Sequence, residues 1–426
     1  MAPSNNKAGT VRAAFIAVTT LFFAWGFITS LIDPLVAAVK GIFTLTDTQA
    51  QLSASAFFLA YFVISFPAAV LIARVRAVPA ILLALATMIV ACLIMLGAAN
   101  VANYSLVLLG LFVLASGITI LQVAANPLAA ALGKPEGSHF RLTLAQTFNS
   151  FGTFLGPYLG SVLFLEGLEV KEGTVVTEAV RQGALLGIDR AYFWICGLLL
   201  VLLAFFYVSR RTVAAAAPHQ PAGRGLFALI GEAVSSKWAL LGGAAIFLYV
   251  GAEVAIGTQM ALFLNDDAVW GVSLQDAGKY VSFYWGGAMV GRAVGSLLLA
   301  RFDAARLLAL FTAIAAAMCV YVVTVGGISG GYVALCIGLF NSIMFPVIFT
   351  LTLERSSARA EATSGLLCTA IVGGAVLPLV VGAVSGSVGY VTALGVPALC
   401  YALLCLFAWT AGRTAPVRQA SAESIH

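Results

Sequence analysis

Long apolar runs separated by short polar segments dominate the pattern along this chain. A helix needs roughly 20 apolar residues to span a bilayer, and twelve runs of about that length can be counted. They cover residues 11–39, 48–73, 78–99, 104–132, 142–165, 190–209, 238–264, 277–300, 305–325, 331–353, 362–384 and 390–411. The runs are continuous, whereas the strands of a membrane barrel alternate apolar and polar residues. The pattern therefore predicts an all-α integral membrane protein with twelve transmembrane helices.

Composition and charge placement agree with this pattern. Hydrophobic residues make up 62% of the 426 residues and charged residues 9%, whereas soluble domains contain roughly 45–50% and 25%. If the N-terminus is cytoplasmic, sixteen Lys and Arg residues fall in inside segments and five in outside loops. Because basic residues concentrate in cytoplasmic loops, we predict that both termini are cytoplasmic. The net charge of +5 is then a topology signal and does not indicate nucleic-acid binding.

Neither a metal site nor a catalytic site is predicted. The seven cysteines lie in apolar runs without the spacing of metal ligands, so we interpret them as small buried side chains. His139, His219 and His426 lie in predicted loops or tails, which argues against an enzyme acting at membrane depth. We expect no cofactor and no removable signal peptide.

A basic segment rich in Pro, Gly and Ala separates the sixth and seventh runs. It contains RRTVAAAAPHQPAGRG, which starts at Arg210. We predict an N-terminal six-helix bundle over residues 1–209, a cytoplasmic linker over 210–237, and a C-terminal six-helix bundle with a cytoplasmic tail over 238–426. LIARVRAVPAILL from Leu71 aligns without gaps with LLARFDAARLLAL from Leu298, which indicates two pseudo-symmetric halves. Parallel repeats of this kind describe the major facilitator transporters, whose substrate lies near the bilayer midplane between the halves.

Away from the ends of the predicted spans, the charged residues are Asp33, Glu253 and Arg292. Such residues are costly at membrane depth and commonly line a cavity or an ion path. Pro34 follows Asp33 directly; it donates no N–H, so nearby carbonyls are left free to face a cavity. We predict cation-coupling roles for Asp33 and Glu253, and structural or gating roles for Pro34 and Arg292.

The two carboxylates also have structural alternatives. For Asp33 the alternative is a salt bridge or a hydrogen bond to a neighbouring helix. For Glu253 it is an interhelical pair with Arg292. For Arg292 itself, a structural clamp towards the cytoplasmic side is the favoured interpretation.

Uncharged amides form a second polar set in the spans. Gln122 and Asn126 are four residues apart in span four, and Gln146, Asn149 and Thr153 are spaced by three and four in span five. These spacings place each group on one helix face. Amides donate and accept hydrogen bonds without buried charge, which suits the hydroxyls of a sugar. For any single amide, the alternative is an interhelical hydrogen bond.

Aromatic residues in the same spans offer flat apolar faces for the C–H groups of a sugar ring. The candidates are Trp25 and Phe27 in span one and Tyr284 and Trp285 in span eight. The complete predicted substrate-binding set is Gln122, Asn126, Gln146, Asn149, Asn341 and Trp285.

Several motifs resemble one family. AQTFNSFG at 145–152, preceded by HFRL at 139–142, is similar to span five of the fucose:proton symporter family within the major facilitators. LQVAANP at 121–127, GAEVAIG at 251–257, WGGAMVGR at 285–292 and AIVGGAVLPL at 370–379 resemble its glucose/galactose transporter branch. The resemblance extends over about residues 15–411.

The resemblance implies a twelve-helix protein of the bacterial inner membrane that moves a monosaccharide by alternating access, driven by a cation. Asp33 matches an acidic residue tied to proton coupling in the fucose branch. The acidic residue on span four of that branch is replaced here by Gln122, which cannot carry a proton in the same way. In the glucose/galactose branch a glutamine is expected at this position, and Glu253 is present. Gln146 and Asn149 match positions that contact sugar in the family.

The sequence therefore predicts a symporter that imports a hexose, with glucose or galactose favoured and the proton as favoured coupling ion. A sodium-coupled symporter is an alternative, because an aspartate near amide and carbonyl oxygens also suits Na⁺. Fucose and N-acetylglucosamine are alternative substrates, and an exporter or antiporter is the next class, ahead of a membrane enzyme or a sugar sensor. We expect a monomer whose partners are the sugar and the lipid bilayer, with no nucleic acid.

Overall fold

The computed structural model describes residues 3–31, 43, 47–165, 178–218 and 225–417, and every regular element in these ranges is helical. The α-helices are α1 (Pro3–Ser30), α2 (Asp47–Val75), α3 (Ala77–Asn100), α4 (Tyr104–Ala131), α5 (Ser138–Leu165), α6 (Glu178–Ala216), α7 (Leu226–Ser235), α8 (Lys237–Asn265), α9 (Leu274–Leu299), α10 (Ala304–Val325), α11 (Gly327–Asn341), α12 (Met344–Arg355), α13 (Ala360–Thr369), α14 (Gly373–Val388), α15 (Tyr390–Ala393) and α16 (Gly395–Arg413). Two short 3₁₀ turns cover Pro135–Gly137 and Ala370–Val372.

Apart from α7, these helices fall on the predicted apolar runs. Within the described ranges, ten helical segments are long and apolar enough to cross a membrane. The two remaining predicted runs, 142–165 and 277–300, coincide with α5 and α9. The all-α membrane fold is thus confirmed, while the full count of twelve spans stays a prediction. The match follows from the bilayer itself, because a spanning segment must satisfy its own backbone and a helix does so locally.

Short polar side chains begin several of the helices. Asn103 accepts a hydrogen bond from the backbone N–H of Leu106 at the start of α4. Ser236, Ser273 and Asp303 do the same for the third residue after them at the starts of α8, α9 and α10. Such caps satisfy amide groups that have no partner inside the helix. Residues close to each boundary therefore determine where these helices begin.

Two predicted spans are interrupted inside the second half of the chain. The run 331–353 consists of α11 and α12, which are separated by Ser342 and Ile343. The run 362–384 consists of α13, a 3₁₀ turn and α14. At the second interruption a Cβ on Gly373 would overlap the backbone carbonyl oxygen of Phe247 in α8. Irregular backbone at membrane depth occurs where it is buried in protein or lines a cavity.

The chain forms two compact units. The first comprises residues 1–132 and 148–224, and within it α4 packs on α2 and α3, while α6 packs on α1 and α3. The second comprises residues 133–147 and 225–426; there α8 packs on α9, α14 and α16, and α9 packs on α11. The second unit includes the first residues of α5, where Ser138 and His139 both contact the Glu354 carboxylate, at 2.9 and 3.2 Å.

The segment predicted as a linker contains helical structure. Helix α6 continues through Ala216, seven residues beyond the predicted end of span six, and α7 occupies residues 226–235. Glu232 on α7 accepts hydrogen bonds from the backbone N–H and Nε of Arg359, at 2.5 and 3.3 Å. The predicted division into bundles at residues 209 and 238 stays a prediction.

Candidate functional site

Asp33 and Pro34 lie outside the described residues. Helix α1 ends at Ser30, three residues before Asp33. The predicted coupling role of Asp33 and the gating role of Pro34 therefore rest on the sequence alone.

In the first unit, the predicted amides of span four are buried on α4. Gln122 is 7% exposed and Asn126 is fully buried. The Gln122 Nε2 donates a hydrogen bond of 2.6 Å to the Tyr61 hydroxyl on α2. This bond gives the buried amide a partner and holds its side chain against α2, since a buried polar group without a partner would be costly.

The predicted polar face of span five contacts the backbone of α1. Asn149 Nδ2 donates to the carbonyl oxygen of Phe22 at 3.1 Å. Thr153 Oγ1 lies 3.4 Å from the carbonyl oxygen of Gly26 and 3.0 Å from that of Asn149. These contacts are interhelical bonds, which was the structural alternative for an amide in this position. Gln146 is buried on the part of α5 that belongs to the second unit.

Close packing of α1 and α5 makes these bonds reachable. A Cβ on Gly26 would overlap the Asn149 carbonyl, and one on Gly152 would overlap the Phe23 carbonyl. A Cβ on Gly156 would overlap the Ser30 hydroxyl. Small residues let membrane helices approach until side chains of one reach the backbone of the other.

In the second unit, Glu253 and Arg292 form an ion pair between α8 and α9. Arg292 Nη2 lies 3.4 Å from Glu253 Oε1, and each side chain is 12% exposed. The same Nη2 donates to the Tyr249 hydroxyl at 3.4 Å. This arrangement matches the pairing alternative for Glu253, because the guanidinium compensates the charge of the carboxylate in a setting of low polarity.

Arg292 also supports the interruption of span ten. Its Nε donates to the carbonyl oxygen of Ser342 at 2.8 Å. Ser342 lies between α11 and α12. Carbonyls at such an interruption lose their partner within the helix, and a charged donor with a rigid fork geometry replaces it. Arg292 therefore contacts the backbone of span ten, and its predicted role as a structural clamp stays a prediction.

Asn341 is the last residue of α11 and is fully buried. Its Nδ2 donates to the Tyr284 hydroxyl at 2.7 Å and lies 3.5 Å from the Tyr401 hydroxyl. The Tyr284 hydroxyl donates to the backbone carbonyl of Glu253 at 3.1 Å. Asn341 Oδ1 has no hydrogen-bond partner among the described residues. The network thus runs from the coupling candidate Glu253 to the sugar-binding candidate Asn341.

Trp285 lies beside this network. Its ring meets that of Tyr284 at a centroid distance of 5.1 Å and an angle of 76°. A Cβ on Gly257 would overlap the indole, so the ring lies directly over α8, one helical turn after Glu253. Trp285 is only partly buried, which leaves part of the indole accessible as an apolar surface.

Sequence reasoning missed the hydroxyls that organise these amides and charges. Tyr61, Tyr249 and Tyr401 were not singled out, and Tyr284 was considered only as an aromatic face. All four are buried and bond to a predicted site residue. The signal was present, because a tyrosine inside an apolar span must find a partner for its hydroxyl, but the sequence does not identify that partner.

The cysteines are less uniformly buried than expected. Cys92, Cys319, Cys368 and Cys400 are buried, whereas Cys336 is exposed, so the interpretation was wrong for that residue. Within the described ranges, no group of three or more His, Cys, Asp or Glu residues is placed to hold a metal ion.

Bilayer-length apolar helices with buried polar networks define a helical integral membrane protein. The sequence profile of the Major Facilitator Superfamily matches residues 14–370. The chain belongs to this superfamily, whose members are transporters and not enzymes.

Named relatives cover almost the whole chain. A protein named glucose/galactose transporter from Brucella abortus biovar 1 is 39% identical over 412 residues, which are 95% of this chain and 97% of the relative. The L-fucose-proton symporter of Escherichia coli K12 is 30% identical over 413 residues, covering 94% and 93%. The crystal structure of the E. coli fucose:proton symporter, as an N-to-A variant, superposes with a TM-score of 0.82 at 27% identity, over 93% of this chain and 98% of that chain. The resemblance inferred from the motifs is confirmed.

Proposed function

We propose that this protein imports a hexose, glucose or galactose, together with protons by alternating access. The observation that carries the proposal is the burial of uncharged amides inside apolar helices, at Gln122, Asn126, Gln146 and Asn341. Hydroxyl-rich substrates are recognised by such groups, and a relative that is 39% identical is named for glucose and galactose transport. In this proposal, these amides and Asn149 contact sugar hydroxyls, and Trp285 supplies the apolar surface for the ring.

Asp33 is the proposed proton carrier. Glu253 has a guanidinium partner 3.4 Å away. Protonation of Glu253 would remove its negative charge and leave the buried charge of Arg292 without compensation. Glu253 is therefore better suited to hold Arg292 and the interruption of span ten than to load and release the proton. A relative that is 30% identical is named a proton symporter, which favours H⁺ over Na⁺ as the coupling ion.

The proposed cellular setting is the bacterial inner membrane, with both termini cytoplasmic and the protein acting as a monomer in the bilayer. The predicted halves, 1–209 and 238–426, rock about the sugar site when both sugar and proton are bound, with residues 210–237 as their linker. Close glycine contacts such as those of Gly26 and Gly152 let α1 and α5 approach each other closely within the first half.

Uptake of labelled glucose into proteoliposomes tests this function. One set of vesicles carries an imposed pH gradient and another an imposed Na⁺ gradient, with galactose, fucose and N-acetylglucosamine as competitors. We expect accumulation with the pH gradient, loss of accumulation in Asp33→Asn, and competition by galactose. The matched control is Asp303→Asn, because Asp303 caps α10 and asparagine caps helices equally well.

The outcomes separate the alternatives. Accumulation driven only by Na⁺ would make this a sodium symporter, and stronger competition by fucose than by galactose would change the substrate. Unchanged accumulation in Asp33→Asn would refute the coupling role of Asp33. Efflux against a gradient without uptake would assign an exporter.

A further inference from the structure

Asn341 Oδ1 stands out among the buried polar atoms of the second unit. The side chain is fully buried, and its Nδ2 bonds to Tyr284. Oδ1 has no hydrogen-bond partner among the described residues. A buried acceptor in this state is unfavourable unless a bound group completes it, so this carbonyl is a candidate contact for a ligand.

The direction of the Asn341 amide follows from the bonds of Tyr284. A hydroxyl has one hydrogen, and Tyr284 donates it to the backbone carbonyl of Glu253, which can only accept. In the assigned orientation, the Tyr284 oxygen then accepts from the Asn341 nitrogen 2.7 Å away. This orientation lets the single hydroxyl hydrogen of Tyr284 and one N–H of Asn341 both take part in hydrogen bonds. Oδ1 is consequently the atom directed away from Tyr284.

Backbone contacts hold Asn341 on both sides. One turn earlier, a Cβ on Gly338 would overlap the backbone carbonyl of Tyr284, so α11 lies tightly against α9. One residue later, Arg292 Nε bonds to the Ser342 carbonyl at 2.8 Å. A side chain positioned in this way loses little conformational entropy on binding, which is the condition for a selective contact.

We propose that Asn341 Oδ1 accepts a hydrogen bond from one hydroxyl of the transported hexose, and that Tyr284 is the positioning residue that sets this polarity. The inference rests on the proposed function and deepens it. At one ring position the substrate must then carry a hydrogen-bond donor. Replacement of that hydroxyl by hydrogen or by fluorine removes the donor in both cases, whereas a contact from an amide N–H would tolerate an acceptor.

Competition by sugar analogues tests the proposal. Purified protein in vesicles exchanges labelled glucose, and deoxy and deoxyfluoro analogues for each ring position compete with it. At one position, we expect the deoxy and the deoxyfluoro analogue to bind at least about tenfold more weakly than glucose, as expected when a buried acceptor loses its donor. At positions read by amide donors, the deoxyfluoro analogue is expected to retain more affinity than the deoxy analogue.

Variants assign that position to Asn341. In Asn341→Ala, the selectivity for the hydroxyl at this position falls to about threefold or less, because the acceptor is gone. In Tyr284→Phe, the amide can rotate, so the selectivity for hydroxyl over fluorine falls at the same position while the other positions keep theirs. Tyr321→Phe is the matched control, because its hydroxyl lies on the exposed side of α10 and bonds to Ser329.

The ratio of glucose affinity to analogue affinity separates a positioning role of Tyr284 from general damage to the protein. A merely destabilised protein loses exchange rate without changing this ratio at any one ring position. The proposal is overturned if there is no ring position at which the deoxy and the deoxyfluoro analogue both bind much more weakly than glucose. It is also overturned if Asn341→Ala keeps the wild-type ratio of glucose affinity to analogue affinity at every position. A Tyr284→Phe variant that still exchanges glucose and keeps its full preference for hydroxyl over fluorine at that position would also overturn it. Failure of the wild type to exchange any hexose would instead refute the proposed function.

Discussion

Arg292 Nη2 lies 3.4 Å from Glu253 Oε1, so a guanidinium of α9 and a carboxylate of α8 compensate each other inside an apolar unit. The two residues are 39 positions apart in the chain. Arg292 extends the contact to Tyr249 and to the Ser342 carbonyl. This pair therefore links three membrane segments, and its integrity is a first target for experiment.

Glu253→Gln is expected to destabilise the protein by about 3–5 kcal/mol, because it leaves the buried Arg292 charge without its partner. The double variant Glu253→Gln with Arg292→Met removes both charges and should be more stable than the single variant. Thermal unfolding in detergent measures both. A single variant that unfolds like wild type but no longer accumulates sugar would instead mark Glu253 as a proton carrier.

Gly291→Ala tests the contact of α9 with the interruption of span ten. A Cβ there would overlap the Leu339 carbonyl oxygen and the Ser342 hydroxyl, and overpacking costs about 1–3 kcal/mol. Gly286 lies on the same helix with nothing within 4 Å of an added Cβ, so Gly286→Ala should be neutral or stabilising by about 0.5–1 kcal/mol. Equal melting temperatures for the two variants would show that α9 and α11 do not pack this closely.

Tyr61→Phe tests the orientation of Gln122. The variant removes the acceptor of a 2.6 Å hydrogen bond from the buried amide, which should cost about 1–3 kcal/mol of stability. We also expect weaker hexose binding, measured as a higher KM with little change in kcat, because Gln122 loses its fixed direction. Tyr321→Phe again serves as the control. If Tyr61→Phe binds hexose as well as wild type does, Gln122 does not need this partner to act.

Glu232→Ala tests the attachment of the linker helix. Glu232 accepts from the backbone N–H and from Nε of Arg359 at the start of α13, and loss of a hydrogen bond to a charged group costs about 1.5–3 kcal/mol. Amide hydrogen exchange over residues 226–235 should accelerate, since α7 loses this bond to α13. Glu136→Ala, at an exposed position, is the control. Unchanged protection of α7 would show that its apolar contacts alone hold it.

Much of the architecture could be predicted from local sequence. Every predicted apolar run that falls in the described ranges became helical, and Asn103, Ser236, Ser273 and Asp303 cap helices as their side chains favour. The motifs around Gln122, Gln146 and Glu253 were sufficient to indicate the family. These features are local because each membrane helix satisfies its own backbone hydrogen bonds.

Tertiary structure alone decided the partners of the site residues. From the sequence, a pair of Glu253 with Arg292 was only an alternative. The sequence did not indicate the bonds of Gln122 to Tyr61 and of Asn341 to Tyr284, whose partners are 61 and 57 positions apart. It also predicted span ten as one helix, whereas α11 and α12 are separated at Ser342. Pairing between helices depends on which faces meet and how closely their glycines let them approach, as at Gly338 and Tyr284. Hydropathy thus determined where the helices are, and interhelical packing determined which polar groups bond to one another.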